Sequence, residues 1–294
     1  MATTVEQAFR QFSSNLEIRD RQVGLVSNRR KNVVRALGQS LSLHSTEPSK
    51  LIGSYDRHTL TRYLSEADVD VMVILHYGYN KDWDTPSGTV KALDRFKNVL
   101  DTAYPSTYIR RDRNCIRVEF SEFKLDAVPA FRYEDGHYTI PDSVRQRWVS
   151  TNPFVFAEKI TEINRNMDRT FVPLVKMVKG WNRQAGWPIR SFHLECLMHN
   201  RFQYYAQGYT YPSMLTLFFE ALPGYLSGPC YDPVMGDRVD TYLDNSAAIT
   251  KRQVAIVKAS TAASAARTAF EDSYASTAIG KWQAFMGEFF PAYG

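Results

Sequence analysis

In Asp68-Val69-Asp70-Val71-Met72-Val73-Ile74-Leu75 the segment Val69–Leu75 reads as a β-strand, from its β-branched residues and the alternation around Asp68 and Asp70. Side chains two apart on a strand project from one face, so Asp68 and Asp70 stand together. Such a pair suits either a solvated sheet end or the carboxylates of a metal site. A third acid comes from Phe123-Lys124-Leu125-Asp126-Ala127-Val128-Pro129; if the two strands are neighbours, Asp68, Asp70 and Asp126 converge. Upstream, the short extended segment Lys50-Leu51-Ile52 runs into Gly53 and Ser54. Glycine lets the backbone approach a phosphate closely, and serine adds a donor N–H and a hydroxyl. Gly-Ser alone is also an ordinary turn, and the spacing of a Walker loop is absent.

Carboxylates shared between two divalent ions, with substrate phosphates as further ligands, are suited to phosphoryl transfer. Ions roughly 3.5 to 4 Å apart activate an acceptor hydroxyl and stabilise a departing pyrophosphate. Mg²⁺ is the expected ion, with Mn²⁺ as a substitute, because oxygen ligands and phosphates suit it. Zinc is not indicated, since the His and Cys residues are not clustered. Asp126 is assigned to the attacking hydroxyl, and Asp68 and Asp70 to both metals.

The 294 residues are 44% hydrophobic and 23% charged, which points to a globular chain rather than a disordered one. A formal charge of +5, from 36 basic against 31 acidic residues, leaves room for a basic cleft. It does not separate free nucleotides from nucleic acid. Cys115, Cys196 and Cys230 are widely spaced, which fits a reducing, cytoplasmic compartment. Residues 1–11 hold no long apolar run, and the run Met214–Leu226 is short and contains Glu220, Pro223 and Gly224. Neither a secretory signal nor a membrane span is expected.

Apolar spacing over Val5–Leu43 predicts amphipathic helix, interrupted near Gly24. Tyr77–Pro86 reads as a polar, turn-rich excursion, and Thr89–Leu100 as a helix burying Leu93, Phe96 and Leu100. Strands are expected at Tyr108–Arg110, Cys115–Phe120 and Lys124–Pro129, with a turn over Tyr133–Pro141. Pro153–Asn182 reads as helix broken near Pro173, and further helices are expected over Ser191–Tyr205, Met214–Leu226 and Ile249–Phe289. The expectation is an α+β chain: residues 1–150 form a catalytic core with an N-terminal helix, and residues 151–294 a C-terminal helical lobe closing a nucleotide cleft. On that lobe Lys176 and Lys179 share a helix face. They suit distal phosphates or a solvated surface equally. Ser191 is a further phosphate donor, and Tyr204 and Tyr205 are either base-stacking groups or core aromatics.

Leu51-Ile52-Gly53-Ser54-Tyr55, Asp68-Val69-Asp70 and Leu125-Asp126-Ala127-Val128-Pro129 resemble the ordered catalytic pieces of polymerase-beta-like nucleotidyltransferases. The closer resemblance is to the bacterial cyclic-oligonucleotide synthases related to cyclic GMP-AMP synthase and oligoadenylate synthase. It continues through Pro173-Leu174-Val175-Lys176-Met177-Val178-Lys179-Gly180-Trp181-Asn182 and Ser191-Phe192-His193-Leu194-Glu195. It implies a nucleotidyltransferase core with a helical lobe, ribonucleoside triphosphate substrates and a cyclic di- or trinucleotide product for bacterial antiviral signalling to a nucleotide-activated effector. Carried over residue by residue, Gly53 and Ser54 contact phosphate, Asp68, Asp70 and Asp126 bind metal, and Lys176, Lys179 and Ser191 lie near the triphosphate. The resemblance also makes Gly294 a point where a partner resembling ubiquitin-transfer machinery could join the chain to a target.

Two departures stand out. Tyr55–Ala67 is longer than the compact form of the pattern, and no Cys/His cluster or long basic run supports direct activation by DNA. The alternatives are a template-independent transferase acting on RNA or protein, and a nucleotide- or nucleic-acid-binding module without catalysis.

Overall fold

The computed structural model describes every residue except Met1, Ser246 and Ala248. In chain order the elements begin with α1 (Val5–Leu16), α2 (Asp20–Gly38), β1 (Ser49–Ile52), α3 (Gly53–Asp56), β2 (Asp68–Ile74), α4 (Tyr77–Asn80) and α5 (Gly88–Ala103). There follow β3 (Tyr108–Arg111), β4 (Ile116–Glu119), β5 (Lys124–Arg132), β6 (Tyr138–Asp142) and β7 (Arg147–Thr151). The remainder is helical: α6 (Pro153–Asn166), α7 (Phe171–Gln184), α8 (Ser191–Phe202), α9 (Tyr211–Ser227), α10 (Lys251–Phe270) and α11 (Ala275–Met286). This is the expected α+β fold, a mixed sheet flanked by helices with a C-terminal helical lobe. Among the described residues no helix is long and apolar enough to cross a membrane.

Two compact units divide the chain, Ile18–Val155 in one, and Met1–Glu17 with Phe156–Gly294 in the other. In the first, the sheet runs β1-β2-β5-β4-β3, with β6 pairing β5 and β7 off that path. β2 and β5 are parallel; the other pairs are antiparallel. Val69, Val71 and Val73 face a core shared with Val26, Val33 and Leu37 of α2 and Leu93, Phe96 and Leu100 of α5. On the other face Met72 and Ile74 are covered with Ala130 and Tyr138. That cover does not bury Asp68 and Asp70, which share the Met72 face and stay half-buried. The strand is therefore closed on both faces at one end and open on its acidic face at the other.

Among the described residues the named elements of the second unit are helices, with two isolated β-bridges, Ala2 to Tyr293 and Tyr231 to Arg238. Buried Phe9 of α1 meets Trp282 of α11 and Phe290 edge-on, each at a centroid distance of 5.0 Å, and Phe12 meets Phe290 at 5.1 Å. A buried alanine stripe on α10 (Ala255, Ala259, Ala262, Ala266, Ala269) recurs at helical spacing and permits close packing against α9.

Four sequence expectations are corrected. The first helical region breaks at Glu17–Arg19, where the backbone at Glu17 and Arg19 is extended, and not at Gly24, which sits inside α2. The break falls where the apolar faces change unit: Phe9, Phe12 and Leu16 belong to one and Val26, Val33 and Leu37 to the other. Hence α1 does not belong with the catalytic core of a 1–150 division; aromatic packing places it in the helical unit. Within Tyr133–Pro141 the turn is confined to the residues around Gly136 (φ +85°), whose N–H reaches Tyr133 O at 3.0 Å, and β6 starts at Tyr138. Pro173 stands in the first turn of α7, where its missing N–H breaks no internal bond.

Candidate active site

Strand register brings the sequence-predicted residues of the sheet unit together. Ile52 pairs with Asp70 across β1 and β2, Asp70 pairs with Asp126 across β2 and β5, and Arg117 of β4 pairs with Asp126. Gly53 follows Ile52 directly with φ +69°, a left-handed conformation that glycine adopts without steric cost. A Cβ at that position would lie 2.1 Å from Asp70 Oδ2. Only a residue without a side chain lets the chain turn against this carboxylate.

Ser54 follows in α3, half-buried, and its carbonyl accepts hydrogen bonds from the N–H groups of Thr59 and Leu60, both at 2.9 Å. These bonds fold the long Tyr55–Ala67 segment back on itself, and its Leu60 and Leu64 are buried in the core. That segment therefore has a structural role in supporting the Gly53-Ser54 turn.

A residue not singled out in the sequence dominates the electrostatics. Arg117 donates from Nε and Nη2 to the two oxygens of Asp126, at 2.8 and 2.7 Å, and from Nη2 to Asp68 Oδ2 at 2.8 Å. One guanidinium thus holds two of the three carboxylates, and the charge of Arg57 opposes the third more strongly than Arg117 does. Desolvation, reinforced by the charges of Asp126 and Asp68, pushes the Asp70 carboxyl up to about 7, against weaker opposition from Arg57 and Arg117. Asp68 is raised for the same leading reason, and its Oδ1 is buried without a hydrogen-bond partner among the described residues.

The three acids are adjacent as expected, but they do not form a ready metal cage. No group of three or more His, Cys, Asp or Glu among the described residues is arranged to hold an ion, and Arg117 spans two of the three acids. The donor set still fits a hard divalent cation: it is all oxygen, it carries excess negative charge, one buried oxygen lacks a partner among the described residues, and one carboxyl is raised by burial and by its two acidic neighbours.

The helical unit holds the other predicted residues. Lys176 is buried and pairs with Glu17 at 2.5 Å; Lys179 is buried against Glu195 at 2.5 Å, an acid with 0% exposure. Both are compensated cations inside their unit rather than solvated lysines. Ser191 is the first residue of α8, half-buried. Its approach is fixed by buried Asn182, whose side chain donates to Ile189 O (2.7 Å) and accepts from Ile189 N–H (3.2 Å). Tyr204 is 90% exposed, not a core aromatic. Gly294 is exposed, with its N–H donating to Ala2 O at 3.3 Å.

Residues 3–164 match the model of the Second Messenger Oligonucleotide or Dinucleotide Synthetase domain. The chain belongs to this family. Among curated relatives, the synthetase is 26% identical over 267 residues to a cyclic AMP-AMP-AMP synthase of Acinetobacter, covering 82% of this chain and 72% of that one. Among solved structures it superposes on E. coli CdnC with ATP at a TM-score of 0.69 (19% identity, 98% of this chain and 99% of the other). It superposes on the Vibrio cholerae DncV cyclic AMP-GMP synthase with a linear intermediate at 0.74 (13% identity, 99% and 97%). At these identities the structural likeness is one of fold. By its family the chain is a synthetase of second-messenger oligonucleotides or dinucleotides.

Proposed function

We propose that the synthetase joins ribonucleoside triphosphates at the acidic end of β2 and β5, in two successive transfers that yield a cyclic di- or trinucleotide. In each, an acceptor ribose oxygen bonds to an α phosphorus, the bond to pyrophosphate breaks, and the hydroxyl proton leaves to a base. The observation that carries this reading is the seat of Gly53 against Asp70, which leaves backbone where a side chain would otherwise fill the space.

In this reading Gly53 and Ser54 offer the phosphates a close backbone approach and a hydroxyl. Asp68, Asp70 and Asp126 are the residues that would hold Mg²⁺ or Mn²⁺. Those ions, when bound, supply charge neutralisation at the phosphates and activation of the acceptor hydroxyl. Asp126 is assigned to the acceptor side. Arg117 keeps Asp68 and Asp126 in place and offsets their repulsion. Ser191, at a helix N-terminus whose N–H groups favour anions, is assigned to the triphosphate; Lys176 and Lys179 would act there through the field of their ion pairs.

Incubation with all four ribonucleoside triphosphates and Mg²⁺, followed by mass spectrometry, tests the reading. A low-mass cyclic product lost in Asp68→Ala and Asp126→Ala variants that remain folded supports it. Only extended RNA or nucleotidylated protein, or unchanged turnover in both variants, defeats it. Signalling to a cyclic-nucleotide-activated effector in antiviral defence, and joining of Gly294 to a target by a ubiquitin-transfer-like partner, are further parts of the proposal. Release of Gly294 N–H from Ala2 would free that end for transfer. A Gly294→Glu variant that still forms the conjugate in the presence of the partner would remove it.

A further inference from the structure

Beyond the three acids the same sheet face continues to the edge of the sheet, and metal binding does not account for what it carries there. The strand order β1-β2-β5-β4-β3 makes β3 that edge. Direct register runs from Ile52 through Asp70, Asp126 and Arg117 to Arg110 of β3. A second row runs from Asp68 through Lys124 and Glu119 to Tyr108. The alternate residues Ile109, Ile116, Val118 and Leu125 are buried in the core with Val69 and Val71, so both rows stand on the opposite, acidic face.

The outer part of this face suits a flat, polar guest. Tyr108 is 65% exposed, and a ring held out on an edge strand adds nothing to the core below it. Beside it Arg110 reaches Glu119 from Nε at 3.4 Å and Asp112 from Nη1 at 3.3 Å. Two carboxylates thereby balance its charge, and what it offers a guest is a guanidinium plane. Phenol rings and guanidinium planes are both surfaces on which nucleobases stack, whatever the base. Lys124, half-buried, stands between this shelf and Asp68 and adds a cation on the side of the acids.

In-line displacement places the attacking oxygen and the departing pyrophosphate on opposite sides of the reacting phosphorus. Gly53 follows β1 on one side of the acids, and β4 and β3 lie on the other. Resting on the transfer reading above, which puts the donor phosphates at Gly53 and Ser54, we propose that the outer face of β4 and β3 seats the acceptor nucleotide. Its base lies on Tyr108 and Arg110, and its 5′ phosphate meets Lys124. From Asp126 to Arg110 is two strand spacings, about 9–10 Å, a span that one nucleotide covers from its ribose hydroxyl to the far edge of its base. Stacking reads no hydrogen-bonding edge, so this seat accepts any base and leaves base choice to other contacts.

A donor that cannot accept, paired with an acceptor that cannot donate, isolates this seat. With Mg²⁺ present, a 2′,3′-dideoxynucleoside triphosphate serves as donor and a ribonucleoside 5′-monophosphate as acceptor, and the linear dinucleotide is quantified by mass spectrometry. Tyr108→Ala should raise the acceptor KM about tenfold while kcat and the donor KM stay close to wild type, and Tyr108→Phe, which keeps the ring, should restore it. Lys124→Gln should raise the KM of the monophosphate severalfold and leave that of the unphosphorylated nucleoside unchanged. An acceptor KM within twofold of wild type in Tyr108→Ala would overturn the proposal. Photolabelling of the wild type with 8-azidoadenosine 5′-monophosphate needs no turnover. Label at Tyr108 in the tryptic peptide Asn98–Arg110, displaced by excess adenosine monophosphate, supports the seat, and label confined to other peptides defeats it. Wild-type protein that takes label at Tyr108 but yields no dinucleotide would keep the seat and count against the transfer reading alone.

Discussion

Alanine in place of Gly53 puts a methyl group 2.1 Å from Asp70 Oδ2, on a backbone with φ +69°. Two costs follow, and they fall on different observables. The left-handed backbone costs a non-glycine residue about 1–3 kcal/mol, which lowers Tm by several degrees in a chain of this size. The steric cost falls on the carboxylate, which must retreat by about 1 Å before the contact becomes tolerable. A displacement on that scale at a reacting centre costs on the order of 100-fold in rate, equivalent to about 2.7 kcal/mol of transition-state stabilisation. Gly136→Ala separates the two: φ there is +85°, but nothing lies within 4 Å of the added Cβ, so it should lose stability without losing rate. The assay is steady-state pyrophosphate release with product confirmed by mass spectrometry, alongside thermal unfolding of both variants. A Gly53→Ala enzyme within threefold of wild type in kcat/KM would refute the argument that this turn sets the position of Asp70.

Arg117→Met leaves Asp68 and Asp126 without their counter-charge and should destabilise the metal-free protein by about 3 kcal/mol. Added Mg²⁺ should then raise Tm more in the variant than in the wild type, and equal gains would count against Arg117 as the balancing charge. Asp70 has a folded-state pKa near 7, above the unfolded value near 3.9. Folded protein therefore binds the extra proton between these values, and the associated stability is present below about pH 4 and lost as pH rises through 7. In chelator, the Tm advantage of Asp70→Asn over wild type should grow from pH 4 to pH 8; a constant difference would contradict the assignment. Phe9→Ala removes the aromatic anchor of α1 and should cost about 3–5 kcal/mol, measured by denaturant unfolding, and a loss under 1 kcal/mol would mean α1 is not part of that core.

The acids were legible because strand alternation puts Asp68 and Asp70 on one face and because Asp126 sits in an equally apolar run. Their convergence depended on the parallel pairing of β2 with β5, a long-range register that local pattern leaves open. Arg117 was hidden for the same reason: one basic residue in the alternating run Ile116-Arg117-Val118-Glu119 looks like a solvated position until Asp126 is found opposite it. Lys176 and Lys179 share a helix face as read, but only tertiary packing shows that Glu17 and Glu195 neutralise them. β6 and β7 escaped because Pro141, Asp142 and Arg147 interrupt their apolar pattern. The unit to which α1 belongs could not be read either, since an amphipathic face reports that it is buried and not against what.

The docking of α1 also bears on how the chain matures during synthesis. Residues 18–155 hold a complete sheet and its covering helices, so this unit can fold while the rest is still being translated. The partners of Phe9, however, include Trp282 and Phe290 as well as Tyr211 of α9. Helix α1, which also packs on α7 and α9, is therefore not fully covered until α11 and Phe290 have been made, and part of the Phe9, Phe12 and Leu16 face stays open in the interval. That exposed apolar stripe is where a chaperone would bind the nascent synthetase, and where crowded nascent chains would first associate.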